Sequence, residues 1–178
     1  LRERGEEVIK VKEPGTTPLG EKLRLILLSG EVTSPEVASL LFAAARTELL
    51  KTVILPALAK GKTVLADRSI VSSLAFQGGG NGVSLTWLKE INLYALDTPP
   101  DLVILLDLPA AEAKRRIAKR ALINSDLDTF ESKDLEYFEK VRASFISLSH
   151  ELPFPFVTVS TLKSPNDCVA ELRRILNL

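Results

Sequence analysis

Four short runs of β-branched and aliphatic residues, Val8 to Val11, Thr63 to Ala66, Leu102 to Leu106 and Phe156 to Val159, alternate with segments whose apolar positions recur at helical spacing. That alternation predicts an α/β fold, a parallel sheet covered by helices on both faces. Ser34, followed by Pro35 and Glu36, is a helix start, since serine caps free amides and proline suits the first helical position. The helix it opens is expected to reach about Lys60, with a bend at Pro56. Gly78 to Gly82 reads as a breaker run, and Ser84 as the cap of a following helix that carries Trp87 and Tyr94. Leu1 to Glu6 reads as the end of a helix with Gly5 as its terminator. No repeat, low-complexity tract or linker interrupts the chain, so residues 1–178 are expected to form a single domain.

Composition narrows the classes. The length suffices to bury about two thirds of the unfolded surface. No run approaches the ~18 apolar residues of a membrane span, and nothing resembles a signal peptide, so the expected setting is cytoplasmic and soluble. The lone Cys168 cannot form an internal disulfide, and the lone His150 cannot build a His-rich metal site. With 23 acidic and 23 basic residues the formal net charge is zero, so the electrostatic footprint of a duplex-binding protein is missing, and any nucleotide ligand is expected to be small.

Asp67 and Arg68 stand where the Thr63 run leaves the sheet, the usual crevice for ligands in an α/β fold, and Ser72 and Ser73 follow with hydroxyls. Taken alone, the pair reads equally well as a surface ion pair. Phe42 and Arg46 are four apart, on one helix face, where the plain reading is a core ring with a cation beside it. Glu13, before Pro14-Gly15, reads as a turn acid. Lys114 to Arg120 places five cations in seven residues, by default a solvated helix face.

Ordered motifs shift these readings. Glu13-Pro14-Gly15-Thr16-Thr17-Pro18-Leu19-Gly20-Glu21-Lys22-Leu23-Arg24, Leu40-Leu41-Phe42-Ala43-Ala44-Ala45-Arg46, Asp67-Arg68 through Phe76-Gln77-Gly78, Leu105-Leu106-Asp107-Leu108-Pro109, and Phe138 to Phe145 resemble, in order and spacing, the motifs of bacterial thymidylate kinases. The resemblance implies a three-layer P-loop nucleoside monophosphate kinase fold, transfer of the ATP γ-phosphoryl group to dTMP, Mg2+ as cofactor, and a homodimer. It also implies roles. Arg68 and Arg24 hold the acceptor phosphate, Phe42 stacks on the base, and Arg46 donates to a base carbonyl. Ser72, Ser73 and Gln77 surround base and sugar, with Phe76 under the sugar where tyrosine is common, and Glu13 lines the pocket. Arg116 and Arg120 open a lid over residues 121–135 and stabilise the transferring group, while Asp67 reaches the metal through water. Two departures stand out: Thr16 replaces a glycine, and Thr129 occupies the arginine position of the lid motif Asp128-Thr129-Phe130-Glu131.

No G-x-x-x-x-G-K-[ST] loop occurs in the sequence. The expectation is therefore that the first strand of the fold, its phosphate loop and a helix, roughly 25 residues in all, precede Leu1. A non-catalytic nucleotide-binding homologue, a kinase for another nucleoside monophosphate, and a deoxynucleoside kinase remain alternatives.

Overall fold

The computed structural model describes residues 1–122 and 131–178. They form two compact units, Leu1–Thr98 and Pro99–Leu178. Each holds one pair of parallel strands with helices, a mixed α/β architecture.

In the first unit β1 (Val8–Lys12) pairs in parallel with β2 (Thr63–Asp67), Val8 opposite Thr63 and Lys12 opposite Asp67. A short 3-10 turn over Arg2–Arg4 precedes β1 and ends at Gly5, whose φ of 80° is the left-handed terminator that the glycine permits. Helix α1 (Pro18–Leu28) begins at Thr17, whose side chain accepts from the Gly20 amide at 2.9 Å. Helix α2 (Pro35–Leu49) begins at Ser34 as the sequence predicts, its hydroxyl accepting from the Val37 amide.

The bend expected at Pro56 takes a specific form. Pro56 has no N–H to return to the preceding turn. The chain widens into a π turn over Leu50–Ile54, in which the Leu55 amide reaches the Leu50 carbonyl, before α3 (Leu55–Leu58). The wider turn keeps Leu49, Leu50 and Ile54 buried together against Val11 and Ala95, with Ile9, Val53 and Val64 packed around them.

After β2 come α4 (Ile70–Ser73) and a second π turn over Leu74–Gly80. The expected break at Gly78 to Gly82 is thus corrected in part, because Gly78 to Gly80 stay helical. Gly78 has no side chain to clash with Leu85, whose Cδ2 would lie 2.5 Å from an added Cβ. The single helix expected to carry Trp87 and Tyr94 is also two, α5 (Leu85–Glu90) capped by Ser84 and α6 (Leu93–Leu96), divided at a buried Asn92.

In the second unit β3 (Val103–Asp107) pairs in parallel with β4 (Phe156–Ser160), Val103 opposite Phe156 and Asp107 opposite Ser160. Helices α7 (Ala110–Ala121), α8 (Leu135–Glu151) and α9 (Pro165–Ile175) accompany them. Val159, Val141, Leu148 and Cys168 are buried. No described helix is long and apolar enough to cross a membrane.

The β1–α1 connection folds back so closely that an added Cβ on Gly20 would sit 2.6 Å from the Gly15 carbonyl oxygen. Backbone cannot yield as a flexible side chain can, so Gly20→Ala is expected to destabilise the protein by about 1–3 kcal/mol. Urea unfolding measures this, and an unchanged midpoint would mean that the loop has room to move.

Candidate functional site

The C-terminal ends of β1 and β2 deliver two loops to the same edge. At the first, Glu13 extends the ladder, its amide donating to the Asp67 carbonyl at 2.9 Å. Glu13 is therefore turned into the protein, and it is 9% exposed, not the solvated turn acid of the plain reading. Its Oε2 accepts from Nε of Arg46 at 2.7 Å, and Arg46 itself is only 3% exposed. Burial pushes the Glu13 carboxyl above its ordinary range, against the pull of the Arg46 guanidinium. Nη1 of Arg46 donates to Asn92 Oδ1 at 2.6 Å, and Nη2 to Ser73 Oγ at 2.8 Å. Among the described residues these are its hydrogen-bond partners. Three of the five guanidinium N–H groups are thus committed, and one remains on each terminal nitrogen.

The resemblance places Glu13, Arg46 and Ser73 in one pocket, and in the structure Arg46 bonds to both of the others. Phe42 lies one turn before Arg46 on α2 and is half-buried. Ser72 is half-buried on α4, and Gln77 is 2% exposed on the π turn after it. Asp67 and Arg68 are both exposed at the end of β2. Arg68 has φ of 69°, a left-handed conformation costing a side-chain-bearing residue roughly 1–2 kcal/mol, and its guanidinium lies 5.3 Å from the centre of the Phe76 ring. Arg24, on α1, points a terminal nitrogen at the Pro14 carbonyl, 3.5 Å away.

Thr16 keeps a positive φ of 67° despite its side chain. Its hydroxyl bridges the main chain of Lys12, accepting from the amide at 2.8 Å and donating to the carbonyl at 3.3 Å. Those local bonds offset the strain that a glycine would avoid.

The second unit holds Arg116 and Arg120, both exposed on α7. Arg116 donates to Glu112 Oε1 at 2.8 Å and to the Thr161 carbonyl at 2.7 Å, and Arg120 pairs with Glu131. Glu112 also takes both bonds of Arg115, and the two guanidinium groups hold its carboxyl down to about 2. Asp128 and Thr129 lie outside the described residues, as does most of the 121–135 segment. No group of three or more described His, Cys, Asp or Glu side chains could hold a metal ion by itself. That does not disfavour magnesium, which takes one or two carboxylates together with substrate phosphates.

Two features escaped the sequence reading. Asn92 is the partner of Arg46, and its signal is a lone amide on an otherwise apolar helical face with Leu88 and Ala95. At the end of β3, Asp107 accepts two bonds from Arg142 at 2.8 and 2.9 Å, which lower its carboxyl. Both residues lay within recognised motifs, but nothing in their spacing pairs positions 35 apart.

Breaking a buried ion pair strands one charge at about 3–5 kcal/mol. Glu13→Ala is expected to lose that much stability in urea unfolding, and a loss below about 1 kcal/mol would mean that water reaches Arg46. Glu112 is exposed to solvent screening, so its effect is smaller but has a definite sign. A depressed carboxyl contributes stability that is present above the ordinary value of 4.5 and lost as pH falls toward about 2. Glu112→Gln should make the acid-side decline of thermal stability shallower across that window, and an identical profile would remove Glu112 from the balance.

Comparison with known proteins bears on this geometry. The family model described as Thymidylate kinase matches residues 1–172. The thymidylate kinase of Thermomicrobium roseum is 40% identical over 154 residues, 86% of this chain and 72% of the relative. That of Deinococcus radiodurans is 37% identical over 174 residues, 97% of this chain and 82% of the relative. The crystal structure of thymidylate kinase from Ehrlichia chaffeensis superposes with a TM-score of 0.76 at 25% identity, covering 97% of this chain and 82% of that one. The match spans both the Arg46 pocket and the α7 cations, and the chain belongs to the thymidylate kinase family.

Proposed function

We infer that the protein is a dTMP kinase, transferring the γ-phosphoryl group of ATP to dTMP to give dTDP and ADP. Family membership supports the reaction. The observation that carries the assignment of the acceptor site is the buried Arg46, held by Glu13, Asn92 and Ser73 with one N–H left on each terminal nitrogen. A flat pyrimidine needs an aromatic face and a fixed donor, and Phe42 with Arg46 on one face of α2 provides both.

In this reading Arg68 and Arg24 hold the phosphate of dTMP. The guanidinium fork suits two oxygens at once. An acceptor phosphate oxygen attacks the γ-phosphorus of ATP, the bond to the β-phosphate oxygen breaks, and ADP leaves with the electron pair. Arg116 and Arg120 answer the charge on the transferring group. To do so each must exchange a carboxylate, Glu112 or Glu131, for phosphate oxygens. Asp67, exposed at the end of β2, would hold Mg2+ through water, and the ion would neutralise charge on the phosphates. Ser72, Ser73, Gln77 and Phe76 complete the nucleoside pocket. The residues of a phosphate-cradling loop are not among 1–178. We further propose the P-loop nucleoside monophosphate kinase arrangement as one catalytic domain, and the cytoplasm as its setting.

A homodimer fits the surface of α1 and α2. These helices pack together yet leave Leu25 71%, Val37 47% and Leu40 49% exposed. Leu40→Glu is expected to shift the sedimentation of the protein from dimer to monomer, and unchanged sedimentation would place the contact elsewhere.

The principal test is dTMP binding by calorimetry alongside a coupled assay with Mg-ATP and a panel of monophosphates. Arg68→Ala and Arg68→Gly should both lose dTMP binding. The glycine variant should nevertheless be the more stable by about 1 kcal/mol, because it accepts the positive φ without strain. Normal dTMP use by either variant would sink the phosphate role. Phe42→Ala should weaken dTMP by about 1–3 kcal/mol of stacking, and unchanged affinity in the folded variant would make Phe42 a core residue only.

A further inference from the structure

Asn92 is the one member of the Arg46 cluster that belongs to no motif of the acceptor site. It sits at the break between α5 and α6, with φ of −116° and ψ of 16°, and the residue is 3% exposed. Its amide uses both ends. Oδ1 accepts from Nη1 of Arg46 at 2.6 Å, while Nδ2 donates to the Leu88 carbonyl in the last turn of α5 at 2.8 Å. The second bond fixes which end of the amide faces the arginine. An aspartate could accept from Arg46 but not donate to Leu88, and it would bring a second carboxylate to a guanidinium already neutralised by Glu13.

We propose that Asn92 is a positioning residue for base recognition, holding Arg46 so that its two uncommitted N–H groups are fixed for a carbonyl of the pyrimidine. The inference rests on the dTMP reading above. Glu13 holds Nε and Ser73 holds Nη2, which leaves Asn92 as the acceptor on Nη1. Without it, a buried charged donor loses its partner and gains by turning toward another acceptor, and the aim of the remaining donors is lost with it. The interruption between α5 and α6 acquires a purpose on this account. In a continuous α-helix the Asn92 backbone amide would take the Leu88 carbonyl; here it reaches the Lys89 carbonyl at 3.1 Å instead, and the side-chain Nδ2 takes Leu88 while Oδ1 meets Arg46.

The test is dTMP binding by calorimetry, which needs no ATP site, together with thermal unfolding of each variant. Asn92→Ala is expected to weaken dTMP about tenfold or more, the scale of a hydrogen bond to a charged group. Asn92→Asp, which keeps the acceptor, is expected to recover most of that loss. In an Arg46→Gln background, Asn92→Ala should leave dTMP affinity unaltered, because the residue acts through the arginine. Full dTMP affinity in a folded Asn92→Ala protein overturns the inference, as does an equal loss in both backgrounds. If the alanine variant does not fold, a loss of tenfold or more in Asn92→Asp overturns it, and near-native affinity supports it. Failure of the unaltered protein to bind dTMP overturns the underlying reading and the inference together.

Discussion

A guanidinium cannot be buried without a carboxylate for its charge and acceptors for its donors, and that requirement organises the first unit around Arg46. Three separate segments must converge to meet it: the turn after β1 for Glu13, α4 for Ser73, and the α5–α6 break for Asn92. The pair is not a source of great stability, since an apolar cluster in its place could do as well. What it supplies is placement. Every element that contributes an acceptor is located to within a hydrogen bond, and a side chain that would otherwise have many rotamers has one.

Around this fixed centre the two loops at the strand ends carry conformational strain, at Thr16 and at Arg68, both with positive φ. The two are stabilised differently. Thr16 is exposed but bonded to the main chain of Lys12, and its amide donates to Glu21 at 3.3 Å, so the turn holds itself. Arg68 has the Phe76 ring beside its guanidinium, a contact that holds a cation without occupying its N–H donors. On the phosphate role proposed for Arg68, that difference leaves its donors available. Strain at Arg68 is a cost to folding that the reading of the site explains, because the conformation directs an exposed guanidinium from the end of a strand.

The arginines of the second unit use the same chemistry in the opposite setting. Arg115 and Arg116 share Glu112 at the surface, where water screens the charges and the pair is worth little to the fold. Exchange of partners is therefore inexpensive there. Arg46, with a buried carboxylate, has no such freedom. On the proposed roles, that division would give the base a rigid donor and the transferring group cations that can change partners. Asp107 and Arg142 stand between these cases, joined by two parallel bonds that tie α8 to the end of β3.

Much of the fold was legible because it depends on local chemistry. The four strands appear where their β-branched runs lie, three of them longer by one residue and the third shifted by one to Val103–Asp107, and the serine caps at 34 and 84 begin the helices they announce. The errors concern helix continuity. Gly78 to Gly80 look like a break but remain helical, with Leu85 packed where a side chain on Gly78 would stand, while Asn92 looks like an ordinary helical residue but lies where a helix divides, its side chain bonded to Arg46. Motif order also revealed which residues gather at the strand ends, and with them the kinase family. It could not show that Glu13 is buried, since a turn acid and an ion-paired core acid have the same local sequence. By itself, then, the sequence determined the elements, the motifs and the chemistry they imply, because these are written in neighbours along the chain. Partners 33, 27 and 46 residues away made Arg46 a fixed donor. Only the tertiary structure decided that, because the cost of burying a charge is met by groups that folding alone brings together.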